Sequence, residues 1–217
     1  MILLININRY KLHDLEFIKP ITDLLEKYSV VHYKNLKKSD IDSAEKIIIA
    51  GTSLKDDEYL KDLEKFSWIK SCKKPLLGIC SGMQILALLN GAKLKKAKEI
   101  GQTNVKILKK DFLIHNIEKV YSLHQFSTTL PKEFELLVRS SKSIQAIKKD
   151  NHYGLMFHPE VFNKELIKGF AASSCRECAK TLKMKRSELI QGEKTGSIKI
   201  EIDNLRIDKA YLVKQIS

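Results

Sequence analysis

Short apolar runs alternate with helical patterns over the first ninety residues, and this alternation limits the folds open to the chain. Apolar runs occupy residues 2–7, 29–33, 46–50 and 75–79, and helical spacing appears at 15–27, 57–66 and 82–89. A strand–helix–strand rhythm of this kind predicts an α/β fold, with a mostly parallel open sheet covered by helices on both faces. Such sheets place their functional groups at the carboxyl ends of the strands. Between residues 93 and 138 the pattern changes to short strands and turns, with strands predicted at 104–108, 119–123 and 135–139. Further strands are predicted at 144–147 and 153–157, and a helix over 164–171 closes the domain.

The fourth apolar run ends in Gly78-Ile79-Cys80-Ser81-Gly82-Met83-Gln84, where strand gives way to helix. A cysteine flanked by small residues at such a junction is how an α/β protein presents a strained, exposed nucleophile. The first amides of the helix and its positive end favour thiolate over thiol. On this stretch alone, a buried structural cysteine before an ordinary helix fits equally well. A second motif shifts the balance. Tyr153-Gly154-Leu155-Met156-Phe157 reads as a buried strand and runs into His158-Pro159-Glu160. Proline keeps the preceding residue extended, and residues two apart in extended chain project to one side. His158 and Glu160 therefore suit a base and the carboxylate that orients it.

Together the two motifs resemble the class I glutamine amidotransferases, whose glutaminase domains carry G-x-C-x-G-x-Q and, later, F-H-P-E. The resemblance covers residues 1–171 and implies a flavodoxin-like sheet. It implies that Cys80 attacks the side-chain amide of glutamine, that His158 relays protons, and that Glu160 holds the imidazole in place. The backbone N–H of Ser81 would be one oxyanion donor, and Gln84 would lie near the substrate pocket. The second donor in this family comes from a Gly-Gly-Pro loop after the third strand, matched here by Gly51-Thr52-Ser53. Gly51 keeps the first glycine, but Thr52 stands in place of the donor-bearing second one. A β-branched residue resists positive φ, so either the loop follows a different path or the oxyanion hole is weaker.

Within the family, Val120-Tyr121-Ser122-Leu123-His124-Gln125-Phe126 and the Leu-Pro and Phe-Glu-Leu-Leu-Val-Arg-Ser stretch over 130–140 are most similar to the glutaminase subunit of archaeal-type GMP synthase. His124 keeps the histidine of a Ser-His-x-Asp segment, while Leu123 and Phe126 replace its serine and aspartate. Synthases of anthranilate, imidazole glycerol phosphate and carbamoyl phosphate use the same module. The chain has no Gly-x-x-x-x-Gly-Lys phosphate loop and no S-G-G-x-D-type pyrophosphatase loop. A separate synthetase subunit is therefore expected to accept the ammonia. A γ-glutamyl hydrolase using the same trio, and a non-catalytic regulatory relative, remain open beside this reading.

The net charge is +13, from 39 Lys and Arg against 26 Asp and Glu. Basic pairs such as Lys73-Lys74 and Lys148-Lys149 are scattered and lack interleaved aromatics, so they read as solvated faces rather than a nucleic-acid surface. No apolar stretch reaches membrane-spanning length, and no secretory leader is evident. Four cysteines, one in a nucleophile context, suit a reducing cytoplasm. No cofactor is expected. Residues 172–217 read as an extension with a helix and then an alternating strand or hairpin near 197–208. Cys175 and Cys178 supply only half a zinc site, so no metal is expected.

Overall fold

The computed structural model describes residues 1–173. The extension expected at 174–217, with Cys175 and Cys178, lies outside the described residues. Strands β1 (Ile2–Asn6), β2 (Tyr28–His32), β3 (Lys46–Ile49) and β4 (Leu76–Ile79) form where the apolar runs predict them. Three later strands, β8 (Glu135–Arg139), β9 (Ile144–Lys149) and β10 (His152–Leu155), join them, with the two-residue β6 (Lys106–Ile107) at the far edge. The sheet order is β2-β1-β3-β4-β10-β9-β8-β6. The first five strands in this order run parallel, and the last three add antiparallel.

β1, β3 and β4 are buried on both faces, which is why their sequences are almost continuously apolar, while β2 at the sheet edge is exposed or half-buried. Successive residues alternate between two cores. Leu4, Ile48, Leu77 and Ile79 pack on one side with Ile21, Leu166, Ile167 and Phe170. Leu3, Ile5, Ile47, Ile49 and Leu76 pack on the other with Phe66, Met83, Ile85 and Leu86. The first of these cores is covered by α6 (Lys164–Ala172) and the second by α5 (Ser81–Leu89). The buried Lys46 ties α6 down, because its Nζ donates to the terminal carbonyls of Phe170 (2.7 Å) and Ala171 (2.6 Å). A cation there satisfies carbonyls that have no partner within the helix.

The helix predicted at 15–27 is instead two single turns, α1 (Asp14–Phe17) and α2 (Lys19–Thr22). Pro20 sits in the first turn of α2, where its missing N–H is harmless, but it cannot continue α1. The helix predicted at 57–66 splits likewise into α4 (Glu58–Lys61) and a 3₁₀ stretch, Leu63–Ser71. The α3 helix (Lys38–Ser43) buries no residue, so apolar spacing gave it no signal. Its start is fixed by Asp40, whose carboxylate accepts from the Lys37 N–H at 2.8 Å.

The largest departure lies between 93 and 128. Instead of short strands, β5 (Leu94–Asn104) and β7 (Lys119–Thr128) pair as a long antiparallel ribbon separate from the main sheet. Two of the expected surface lysines turn inward. Lys74 donates to the Ile41 and Asp42 carbonyls, and Lys148 pairs with Asp111 at 2.8 Å. Among the described residues, no helix is long and apolar enough to cross a membrane.

Candidate active site

Cys80 lies one residue beyond β4 and caps α5 with φ 49° and ψ −104°. Its backbone N–H donates to the Leu155 carbonyl of β10 at 2.7 Å. Positive φ is costly for any residue with a Cβ, so the turn is held by what surrounds it. The flanking glycines make that possible. A Cβ on Gly78 would lie 2.5 Å from the Gly82 carbonyl oxygen, and one on Gly82 would lie 2.4 Å from that of Ile49. Strand and helix are thus closer than any side chain allows.

Sheet register delivers the histidine. In the parallel β4–β10 pair, Ile79 lies opposite Leu155. Chain leaving the carboxyl ends of both strands therefore emerges side by side, and residues 78 apart in sequence become neighbours. The Gly51 backbone fits between them, since a Cβ there would lie 2.8 Å from His158 Cε1 and 3.2 Å from Cys80 Cβ. His158 Nδ1 donates to Glu160 Oε1 at 2.7 Å, which leaves Nε2 without an oxygen or nitrogen partner beside the thiol. Cys80, His158 and Glu160 are 3%, 1% and 1% exposed, so their charges act in a poorly screened environment.

Burial is the largest influence on the His158 imidazole and alone would lower its pKa. Negative charge on Cys80 and Glu160, with hydrogen bonds to both, outweighs it and holds the ring well above its ordinary value of 6.5. The stability this contributes is fully present below 6.5 and is lost as pH rises through the raised value. Glu160→Gln removes one of the two charges, so that loss should begin at lower pH. The shift would be read from urea midpoints across a pH series and from NMR titration of His158. Any activity requiring the imidazole should fall about 10²- to 10⁴-fold in this variant. An unchanged His158 titration would refute the assignment.

The third wall of the site is β7. The Tyr121 carbonyl accepts from the His158 N–H at 2.8 Å, and the Leu123 carbonyl lies 3.6 Å from Cys80 Sγ. The Phe126 carbonyl accepts from Gln84 Nε2 at 2.9 Å. Gln84 Oε1 accepts from the Tyr59 hydroxyl, whose pKa burial pushes up and so keeps it a donor. Gln84 is therefore bonded within the protein at both ends, tying α5 to the ribbon. His124 likewise finds its partners within the protein. Its Nδ1 bonds the Ala97 carbonyl at 2.9 Å, in the stretch where the β5–β7 register shifts, and its Nε2 lies 3.5 Å from Glu99.

A cleft of about 450 Å³ opens beside the trio, within the range of small-molecule sites. Its lining includes Leu123 and Phe17, whose ring centroid lies 5.6 Å from that of His158. Tyr10, His13, Glu16 and the loop residues Ser53 to Asp56 form the rest of the wall. Gly51, Thr52, Ser81, Gln84 and His124 are not among its lining residues, and neither are Cys80, His158 and Glu160, which it reaches through Phe17 and Leu123. Thr52 does not adopt positive φ, because among the described non-glycine residues only Cys80 and Asp150 do. The loop follows a path suited to threonine, whose hydroxyl donates to Asp56 Oδ2 at 2.9 Å. Sequence reasoning missed the β7 carbonyls, Tyr59 and Asp56. The carbonyls are backbone groups and carry no sequence signal.

A thiol, an imidazole and a carboxylate in this order form the apparatus of nucleophilic attack on a carbonyl. Comparison with known proteins agrees. Residues 16–174 match the sequence family described as glutamine amidotransferase class-I. Over 96 residues the chain is 42% identical to one subunit of the glutamine-hydrolyzing GMP synthase of Methanosphaera stadtmanae, covering 40% of this chain and 52% of that protein. Over 146 residues it is 34% identical to the glutamine-hydrolyzing GMP synthase of Campylobacter jejuni, covering 61% of this chain and 28% of that one. The chain thus spans about half the length of the first relative and under a third of the second. A provisionally assigned GMP synthase subunit from Thermoplasma acidophilum shares the fold, with TM-score 0.69 and 24% identity, over 84% of this chain and 96% of that one. So does a glutamine amidotransferase from Thermotoga maritima, with TM-score 0.59 and 20% identity, over 87% and 91%. With a family match across most of its length and a cysteine elbow facing a His–Glu pair, this chain belongs to the class-I glutamine amidotransferases.

Proposed function

We propose that the chain hydrolyses glutamine to glutamate and ammonia, and passes the ammonia to a separate synthetase subunit that makes GMP. In this reading Cys80 sulfur attacks the side-chain amide carbon of glutamine. The tetrahedral oxyanion is met by the N–H of Ser81 at the start of α5, where the helix dipole favours negative charge. His158 gives its proton to the amide nitrogen, the C–N bond breaks, and ammonia leaves a γ-glutamyl thioester. His158 then takes a proton from water, which attacks the thioester and releases glutamate with the sulfur restored. Glu160 keeps the proton on Nδ1 and Nε2 directed at the sulfur throughout.

The observation that carries this reading is the buried His158 Nδ1–Glu160 bond of 2.7 Å, which leaves Nε2 to the sulfur of a cysteine held at φ 49°. The names of the relatives support GMP as the product. The glutaminase module is assigned to residues 1–171, in the cytoplasm, with 172–217 as an extension.

The test mixes the full chain with the synthetase subunit of a two-subunit GMP synthase and supplies either glutamine or ammonium chloride. The mixture should form GMP from both, and the synthetase alone only from ammonium. GMP formation from ammonium but not from glutamine in the mixture would overturn the assignment. Glutamate release from γ-glutamyl peptides without any partner would replace it with a hydrolase.

A further inference from the structure

We infer that Asp56 receives the α-ammonium group of the bound glutamine through Oδ1, so that this chain selects free glutamine over γ-amides lacking that charge. The inference rests on the glutaminase reading and extends it to substrate recognition. Asp56 is only 6% exposed and lines the cleft beside the trio. Its two carboxylate oxygens are treated very differently. Oδ2 accepts from the Arg9 N–H at 2.6 Å and from the Thr52 hydroxyl at 2.9 Å. Oδ1 is buried and has no partner within the protein. A buried carboxylate oxygen without a donor is unfavourable, and the group that relieves it must bring N–H or O–H to the cleft. A cationic donor relieves it best.

The carboxylate is also rigid. Its own backbone N–H donates to the Ser53 carbonyl at 3.0 Å, and both donors to Oδ2 come from chain that frames the cleft. Thr52 directly follows Gly51, which packs against both Cys80 and His158. Asp56 is thus connected through Thr52 and Gly51 to the backbone that packs against Cys80 and His158. In glutamine the reacting carbon and the α-nitrogen are four bonds apart, about 5 Å when extended. A substrate held at both ends would span the space between them. Lys55 borders the same cleft and complements the α-carboxylate. Glu16 also borders it but is exposed, where an unpaired carboxylate is solvated and loses little. The arrangement accounts for Thr52, because a glycine at that position has no hydroxyl to clamp Oδ2.

The experiment uses the full chain carrying Cys80→Ala, so that ligands bind without turnover. Calorimetry compares L-glutamine with glutaramate, which keeps the amide and carboxylate but lacks the amino group. L-glutamine should bind about 10- to 100-fold tighter. Adding Asp56→Asn should bring that ratio close to one, with glutaramate affinity little changed. Circular dichroism reports whether this variant is folded. Thr52→Val provides a second variant, near-isosteric and without the clamp, and should lower the ratio several-fold. A preference for L-glutamine undiminished in the folded Asp56→Asn protein, or in Thr52→Val should Asp56→Asn fail to fold, would overturn the inference and leave the glutaminase reading standing. Failure of both ligands to bind the Cys80→Ala protein would overturn the glutaminase reading itself, and the subsite with it.

Discussion

Cys80→Ala and Cys80→Gly should both lose glutamine hydrolysis, by about 10⁴-fold or more in kcat, yet differ clearly in stability. The loss of activity follows from removing the sulfur on which the proposed thioester forms. The difference in stability follows from the backbone. At φ 49° a Cβ is strained and glycine is not, so Cys80→Gly should be more stable than Cys80→Ala by about 1–3 kcal/mol in urea unfolding. A glutamine-analogue electrophile should label the wild-type protein at residue 80 and neither variant. Both variants also remove one of the two charges that raise the His158 pKa, so in each the imidazole should titrate at lower pH. Equal stability of the two variants would mean that the turn is not strained. Undiminished turnover in either would end the nucleophile assignment.

Gly82→Ala should be among the most damaging single substitutions outside the trio. The added Cβ would sit 2.4 Å from the Ile49 carbonyl oxygen and 3.1 Å from its carbon. Both atoms belong to the backbone of a central strand and cannot swing aside as a flexible side chain could. Relief requires α5 to move off β3, which opens the core around Ile49, Met83 and Leu86 and shifts the N-terminal amides away from the sulfur. A loss of about 3 kcal/mol or more is expected, read from the urea midpoint, together with loss of Cys80 labelling. Gly169→Ala is the matched control. It lies inside α6, where the new Cβ meets Leu113 Cδ1 at an ordinary 3.6 Å. That change should stabilise the protein by about 0.5–1 kcal/mol through helix propensity. Similar effects at the two positions would show that close approach is not what Gly82 provides.

The candidate trio was legible because each half of it is local. Gly-x-Cys-x-Gly describes a turn made by five consecutive residues, and His-Pro-Glu places an imidazole and a carboxylate on one side of extended chain. Strands β1, β3 and β4 were equally legible, since double burial leaves a run such as Ile47-Ile48-Ile49 with almost no polar residue. Helices were harder. Pro20 split one, and the polar α3 buries nothing that would reveal its period. The ribbon of β5 and β7 was the least legible element. Most of its residues are exposed or half-buried, and its contribution to the site is made by the carbonyls of Tyr121, Leu123 and Phe126, which any residue type would supply.

The amino-acid order by itself determined which side chains make up the candidate site and which strand and turn present each of them, because both depend on residues close together along the chain. Only tertiary structure decided that they meet, through the register of β4 against β10, and only it gave Gln84 and His124 partners inside the protein. Tertiary structure also brought Asp56 to the cleft, held by a main-chain N–H from a segment 47 residues away. Contacts of that range depend on how whole elements pack, and local sequence pattern does not record them.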